Sequence, residues 1–192
     1  MQAAWPPALV ALCCCLGALP LLTPYPPATS DGMFHLLRAV ELDRQLRAGV
    51  VYPRWAPDFY LGYGYPIFLF TPLLPYYLVD LAHLLGASFS QAMGAVEAVA
   101  LVASGLLCFA WLRRLLSPIA SACGAVIYAL APYHLVNLYF RGDLSEFLAA
   151  TWYPAILLAL WAVLERPTVW RLVLLASSVA GLVLTHLVSA LL

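Results

Sequence analysis

Residues 91–116 read QAMGAVEAVALVASGLLCFAWLRRLL. Ala98 to Leu112 carries no charge, and back to Gln91 only Glu97 interrupts. About 20 mostly apolar residues cross the hydrocarbon of a bilayer, and the pair Arg113–Arg114 closes the run. The reading is a membrane helix with one ionisable group inside it. Working outward, Trp5–Leu22, Ile119–Leu138, Phe147–Leu164 and Trp170–Leu192 read the same way, and Glu165 with Arg166 separates the last two. The expected fold is all-α: a polytopic transmembrane helix bundle of five or six membrane helices in one domain over residues 1–192.

Composition agrees. Of the 192 residues, 65% are hydrophobic and 9% charged, against about 25% charged in soluble domains. All nine cations are arginine and nine carboxylates balance them. So few charges exclude a soluble enzyme, a disordered tail and a nucleic-acid binder with a basic face. The five cysteines lack metal-ligand spacing and read as small apolar residues in helix contacts. Trp5–Leu22 has no cationic leader and reads as a retained first helix rather than a signal peptide. The last apolar run reaches Leu192 with no polar cap, which suggests the N-terminal part of a longer chain.

Arginine placement predicts topology. Arg113–Arg114 and Glu165–Arg166–Arg171 mark short loops that the positive-inside bias puts in the cytoplasm. Residues 141–146 and the loop 23–66 then lie outside. Ile67–Leu85 is apolar, yet it holds Pro72, Pro75, Asp80 and His83. It is expected to lie along the outer surface or dip into it, because a carboxylate at mid-bilayer costs at least about 2.5 kcal/mol.

The long outer loop carries TSDGMFHLLRAVELDRQLRAG at 29–49. Ser30 or Asp31 can cap a helix and Gly49 can end it. Asp31, His35, Arg38 and Leu42 share one face, and Met33, Leu36, Leu37 and Val40 share the opposite one. That pattern suits a helix in the interface plane. Next comes GVVYPRWAPDFYLGYGYPIFLFTPLLPYY at 49–77; residues 52–77 hold ten of the chain's 25 aromatics. Such rings favour the membrane–water boundary and can also stack on sugars. Arg54, between Pro53 and Trp55, is a restrained guanidinium suited to a phosphate.

A second polar island, APYHLVNLYFRGDLSEFLA at 131–149, packs Arg141, Asp143 and Glu146 into six residues. Asp143 and Glu146 have the spacing of a capping box. Glu97, roughly 9 Å along the helix axis from Gln91, and His186 are ionisable groups within apolar runs. Such groups usually face the bundle interior and mark function.

An outward first helix, an acidic residue just past it, an amphipathic surface helix, G-x-x-x-P-R-W and T-P-L-L-P-Y-Y resemble the GT-C superfamily of membrane glycosyltransferases. More narrowly, DGMFHLLRAVE, YPRWAPDFYLGYGYP, APYHLVNLYFRGDLSEFLA and LTHLVSALL resemble a bacterial family of integral membrane proteins labelled 6-pyruvoyl-tetrahydropterin-synthase-related. The likeness covers most of residues 23–192. It implies a GT-C-like bundle in the bacterial inner membrane and transfer of a sugar from a polyprenyl-phosphate donor at the outer face. It implies Asp31 as the acidic residue of the first outer loop, acting as base or orienting the acceptor. Asp143 and Glu146 match the second outer acidic position, which can bind a metal or help hold the substrates. From the spacing, His35, one helical turn after Asp31, can orient the Asp31 carboxylate. A divalent metal between Asp31 and Asp143 is possible chemistry for such a site. Arg54 and Arg141 are the candidates for the leaving phosphate, with Trp55, His186 and Glu97 as further substrate contacts. The alternative is a non-enzymatic transporter or cell-envelope assembly component, which would also use Glu97 and His186. The discriminator is whether Asp31 and Asp143 converge on one cavity.

Overall fold

In a computed structural model that describes residues 5–25 and 28–191, four of the helices begin where a side chain accepts a first-turn N–H. Ser88 accepts the Gln91 N–H (3.3 Å) while Gln91 Oε1 accepts the Ser88 N–H (3.0 Å), a reciprocal capping box. It opens the helix Phe89–Leu112. Ser117 caps Pro118–Ala129, where Pro118 costs no hydrogen bond at the first helical position. Asp143 caps Leu144–Glu165 and Thr168 caps Val169–Thr185. Arg166, held extended before Pro167, separates the last two.

In chain order the helices are α1 (Trp5–Ala18, followed by a 3₁₀ turn at Leu19–Leu21), α2 (Gly32–Arg47), α3 (Leu74–Leu84), α4 (Phe89–Leu112), α5 (Pro118–Ala129), α6 (Pro132–Val136), α7 (Leu144–Glu165), α8 (Val169–Thr185) and α9 (Leu187–Leu191). Helix makes up 74% of the chain, and there is no strand among the described residues. Three helical runs are long and apolar enough to cross a membrane: Phe89–Leu112, Pro118–Arg141 and Leu144–Glu165. The expected first and last spans are shorter, Trp5–Leu21 and Val169–Thr185. Pro20 turns the end of α1 into 3₁₀ geometry, and the chain leaves helical geometry at His186 (φ −153°, ψ 109°). The expected Ile119–Leu138 helix is also interrupted, because Pro132 has no N–H with which to continue α5. Past α6 the chain widens into a π turn over Asn137–Arg141.

α4 is central and packs against α1, α3, α5 and α7. Small residues permit this. A Cβ on Gly105 would lie 2.7 Å from Cys14 Sγ, and one on Gly181 would lie 2.6 Å from the Trp152 ring. Close approach through small residues is how helices associate where lipid removes the hydrophobic drive. Hydrogen bonds add to it: Tyr128 Oη to the Ala150 carbonyl (2.5 Å) and Thr151 Oγ1 to the Ala100 carbonyl (3.2 Å).

The segment Ile67–Leu85 is a 3₁₀ turn (Ile67–Leu69) and then α3, only 11 residues long. At 1.5 Å per residue that is about 16 Å, half the hydrocarbon thickness. α2 buries a mixed face, with Leu36 and Ala39 inside beside polar groups. His35, Glu41, Leu42 and Asp43 are buried, and Met33, Phe34 and Leu37 are exposed. His35 looks into the protein because its partners are there.

Candidate functional site

Gly142 sets the site's geometry. It sits in the left-handed region (φ 72°) at the end of the π turn, which glycine adopts without steric cost. A Cβ there would lie 2.0 Å from Thr29 Oγ1. The close approach lets the start of the first loop bond to the π turn: Ser30 N–H to the Phe140 carbonyl (3.1 Å) and Asp31 N–H to the Arg141 carbonyl (2.7 Å). These two bonds place Asp31 beside residues 110 positions further along the chain.

Arg141 binds three carboxylates at once: Asp31 at 3.4 Å, Asp143 at 3.2 Å and Glu146 at 2.6 Å. Asp143 Oδ1 also accepts the Glu146 N–H (2.9 Å), so it caps α7 and belongs to the cluster together. Asp31 stands at the start of α2 but makes no side-chain cap. Glu146 does not close a capping box; it turns to Arg141 and to the Tyr133 hydroxyl.

His35 links the cluster to α3. Arg38 donates to Tyr76 Oη (3.3 Å), Tyr76 Oη lies 2.9 Å from His35 Nδ1, and His35 Nε2 lies 3.4 Å from Asp143 Oδ1. With its oxygen accepting from Arg38, the phenol has its O–H free to donate a hydrogen bond to Nδ1. Nε2 faces Asp143 and donates its N–H to that carboxylate. Burial pushes the Tyr76 phenol up, against Arg38, so it stays protonated. Burial also pushes the Asp143 carboxyl up. His35, the Glu146 N–H and Arg141 outweigh this and hold it at about 2, an anion at neutral pH.

Asp31, His35, Arg38, Thr71, Asp143, Ser145 and His186 line one cavity of about 350 Å³, walled by Phe34, Phe70, Pro72, Leu187 and Val188. Asp143, Glu146 and His186 offer ligand atoms within 4.8 Å of one another. The arrangement does not fit a divalent ion shared by Asp31 and Asp143, because the Arg141 guanidinium already bridges those carboxylates. Nor does His186 present a free ring nitrogen. Its Nδ1 receives the Ser189 N–H (3.3 Å) beside Ser189 Oγ (2.6 Å). With Nδ1 accepting from Ser189, this hydrogen bond selects the tautomer that carries its proton on Nε2, and a metal ligand needs a lone pair there. The cluster instead combines an exposed carboxylate with fixed N–H donors.

The structure thus brings together Asp31, His35, Arg141, Asp143, Glu146 and His186. It does not bring in three other expected residues. Arg54 is exposed and lines no part of the cavity. The Trp55 ring packs over Gly64, whose Cβ would meet it at 2.4 Å, in a short hairpin closed by the Ala56–Tyr65 bridge. Glu97 lines a different cavity. His35 contacts the Asp143 carboxylate rather than orienting that of Asp31. Two contributors were not anticipated. Arg38 was legible, being on the face of Asp31 and His35. Tyr76 lies 41 positions from His35, and only its place after Pro72 and Pro75 hinted at a fixed ring.

An apolar cavity of about 280 Å³ lies alongside, lined by Leu78, Val96, Val99, Leu148, Trp152 and Thr185 among others. Thr185 is the neighbour of His186, and Leu148 is one helical turn from Ser145, so the two cavities flank the same part of α7 and α8. No family model, no curated protein and no solved structure matches this chain.

Proposed function

We propose that the chain is a multi-pass membrane glycosyltransferase of the GT-C type, related to the 6-pyruvoyl-tetrahydropterin-synthase-related bacterial membrane proteins. It moves a sugar from a polyprenyl-phosphate donor at the outer face of the inner membrane. One observation carries this reading: a guanidinium held by three carboxylates, two of which, Asp31 and Asp143, line the adjoining cavity together with a second arginine and two histidines.

In this reading the acceptor hydroxyl attacks the anomeric carbon, and the bond from that carbon to the phosphate oxygen breaks. The electron pair leaves with the phosphate, and polyprenyl phosphate departs. The hydroxyl proton passes to Asp31, whose side chain is 39% exposed and thus open to substrate. Arg38, Arg141 and the His186 N–H face the charge that develops on the phosphate. Asp143 is a positioning residue that holds His35 and Arg141 in place. The neighbouring apolar cavity supports the reading by offering the isoprenoid chain a dry wall beside its head group.

The test is transfer of labelled sugar from a polyprenyl-phosphate donor by the purified protein. Asp31→Asn is expected to lower transfer by about 10²–10⁴-fold, the usual range for a lost general base, while donor binding persists. Binding without any transfer by the unsubstituted protein would instead favour a transporter or assembly component.

A further inference from the structure

Glu97 lies inside α4 and is 6% exposed. Among the described residues it has no hydrogen bond and no ion pair. It lines a cavity of about 290 Å³ that shares no lining residue with the Asp31–Asp143 cavity, although Gly142 and Thr29, which bring Asp31 to Arg141, form part of its wall. The remaining polar lining comes from Thr23, Thr29, Ser90 and the two tyrosines Tyr25 and Tyr139. Among the described residues no arginine or histidine lines this cavity, and the chain has no lysine.

Two further acceptors here are unsatisfied. Thr29 Oγ1 is buried without a partner. The Leu21 carbonyl, at the end of the 3₁₀ turn after α1, accepts no hydrogen bond among the described residues. Pro24 has no N–H to give it, and the Tyr25 N–H goes to Thr23 Oγ1 (3.3 Å). Gly94 lets that carbonyl lie flat on α4: a Cβ there would be 2.2 Å from Leu21 O. Gly94 is one turn before Glu97. The carbonyl is also at the negative end of α1. Glu97, Leu21 and Thr29 thus all line one cavity, and among the described residues no cationic side chain lines it. Unpaired buried acceptors of this kind cost several kcal/mol unless something donates to them.

We propose that this cavity is a binding site for one monovalent cation, an alkali-metal ion or a primary ammonium group. One carboxylate among neutral oxygens matches a single positive charge, and oxygen ligands suit a hard cation. The ammonium alternative uses the same acceptors as N–H partners, and Tyr25, 74% exposed at the cavity rim, leaves room for the body of an amine. The site is independent of the transfer chemistry proposed above.

The experiment follows the melting temperature of the purified protein in detergent as NaCl, KCl or methylammonium chloride replaces tetramethylammonium chloride at constant ionic strength. Tetramethylammonium has no N–H and is too large for close contact with a carboxylate. The expected result is a saturable rise in Tm with at least one small cation, absent in Glu97→Gln. Thr29→Val, which removes only the hydroxyl, should weaken the half-saturation point by about tenfold, one good hydrogen bond to a charge. A rise with Na⁺ or K⁺ alone identifies an alkali-ion site; a rise with methylammonium alone identifies an amine site. Flat curves for the unsubstituted protein overturn the proposal, as does a rise that survives in Glu97→Gln. Thr29→Val decides on its own if Glu97→Gln no longer folds: an unchanged half-saturation point in that variant also overturns it.

Discussion

Asp143 carries two loads, capping α7 and holding His35 and Arg141 in place. Its carboxyl is held at about 2, below its ordinary 3.8. A carboxyl depressed in the folded state adds stability that is fully present above the ordinary value, and that stability fades as pH falls toward the folded value. A shift of this size corresponds to about 2 kcal/mol. Asp143→Asn keeps a capping side chain but loses the charge. We expect it to lower Tm at pH 6 to 7, with the gap to the unsubstituted protein closing as pH drops from about 4 to about 2. Thermal melts across that range check this, and a gap that is constant with pH would show that Asp143 acts only as a cap. At this scale the sequence was informative where chemistry is local. Asp31, His35 and Arg38 announce one helix face, and Arg141, Asp143 and Glu146 fall within six residues. It was silent on partners set by tertiary approach. Nothing local says that Gly142 lets Thr29 in, that Arg141 reaches Asp31, or that Trp55 turns back on Gly64 instead of joining Arg54 at a phosphate.

Helices follow the same division. α4 and α7 were legible from uncharged runs ended by arginine or glutamate. The interruptions in the expected Ile119–Leu138 and Trp170–Leu192 spans were not read, although Pro132 marks the first of them. The two faces read for α2 are met only in part, since Leu36 of the apolar face is buried beside His35 of the polar one, and periodicity does not say which side chains meet protein. Between α2 and α3 the structure pairs acids. Asp80 is buried next to Asp43, and burial first, then Asp43, raises its carboxyl. Asp43 is meanwhile held by Arg47 through both oxygens at 2.8 Å. A group raised in the folded state contributes stability below its ordinary value and loses it as pH rises through the folded one. Asp80→Asn removes the ionisation and is expected to raise Tm at pH 8 and to leave it nearly unchanged at pH 4. A lower Tm at both pH values would mean that the carboxylate form is the one the fold requires.

Across the whole molecule the charged groups sort to two ends. Arg114 reaches Glu165 at 3.4 Å, tying the α4–α5 connection to the end of α7. The Arg141 cluster and His186 lie at the other end of α7 and α8. In a cysteine-free background, a membrane-impermeant thiol reagent is expected to reach Ser117→Cys and Tyr63→Cys from opposite sides of the membrane, since both residues are exposed. Labelling of both from one side would break the proposed topology. The central claim is that the Arg141 cavity performs a single displacement at an anomeric carbon, and the product's stereochemistry tests it most directly. The protein would be given a polyprenyl-phosphate sugar of defined anomeric configuration, and the glycosidic product would be read by NMR. One direct attack by the acceptor, with Asp31 as base, predicts an inverted anomeric centre and one polyprenyl phosphate released per bond formed. A product of retained configuration, or donor that is bound and never cleaved, would contradict it.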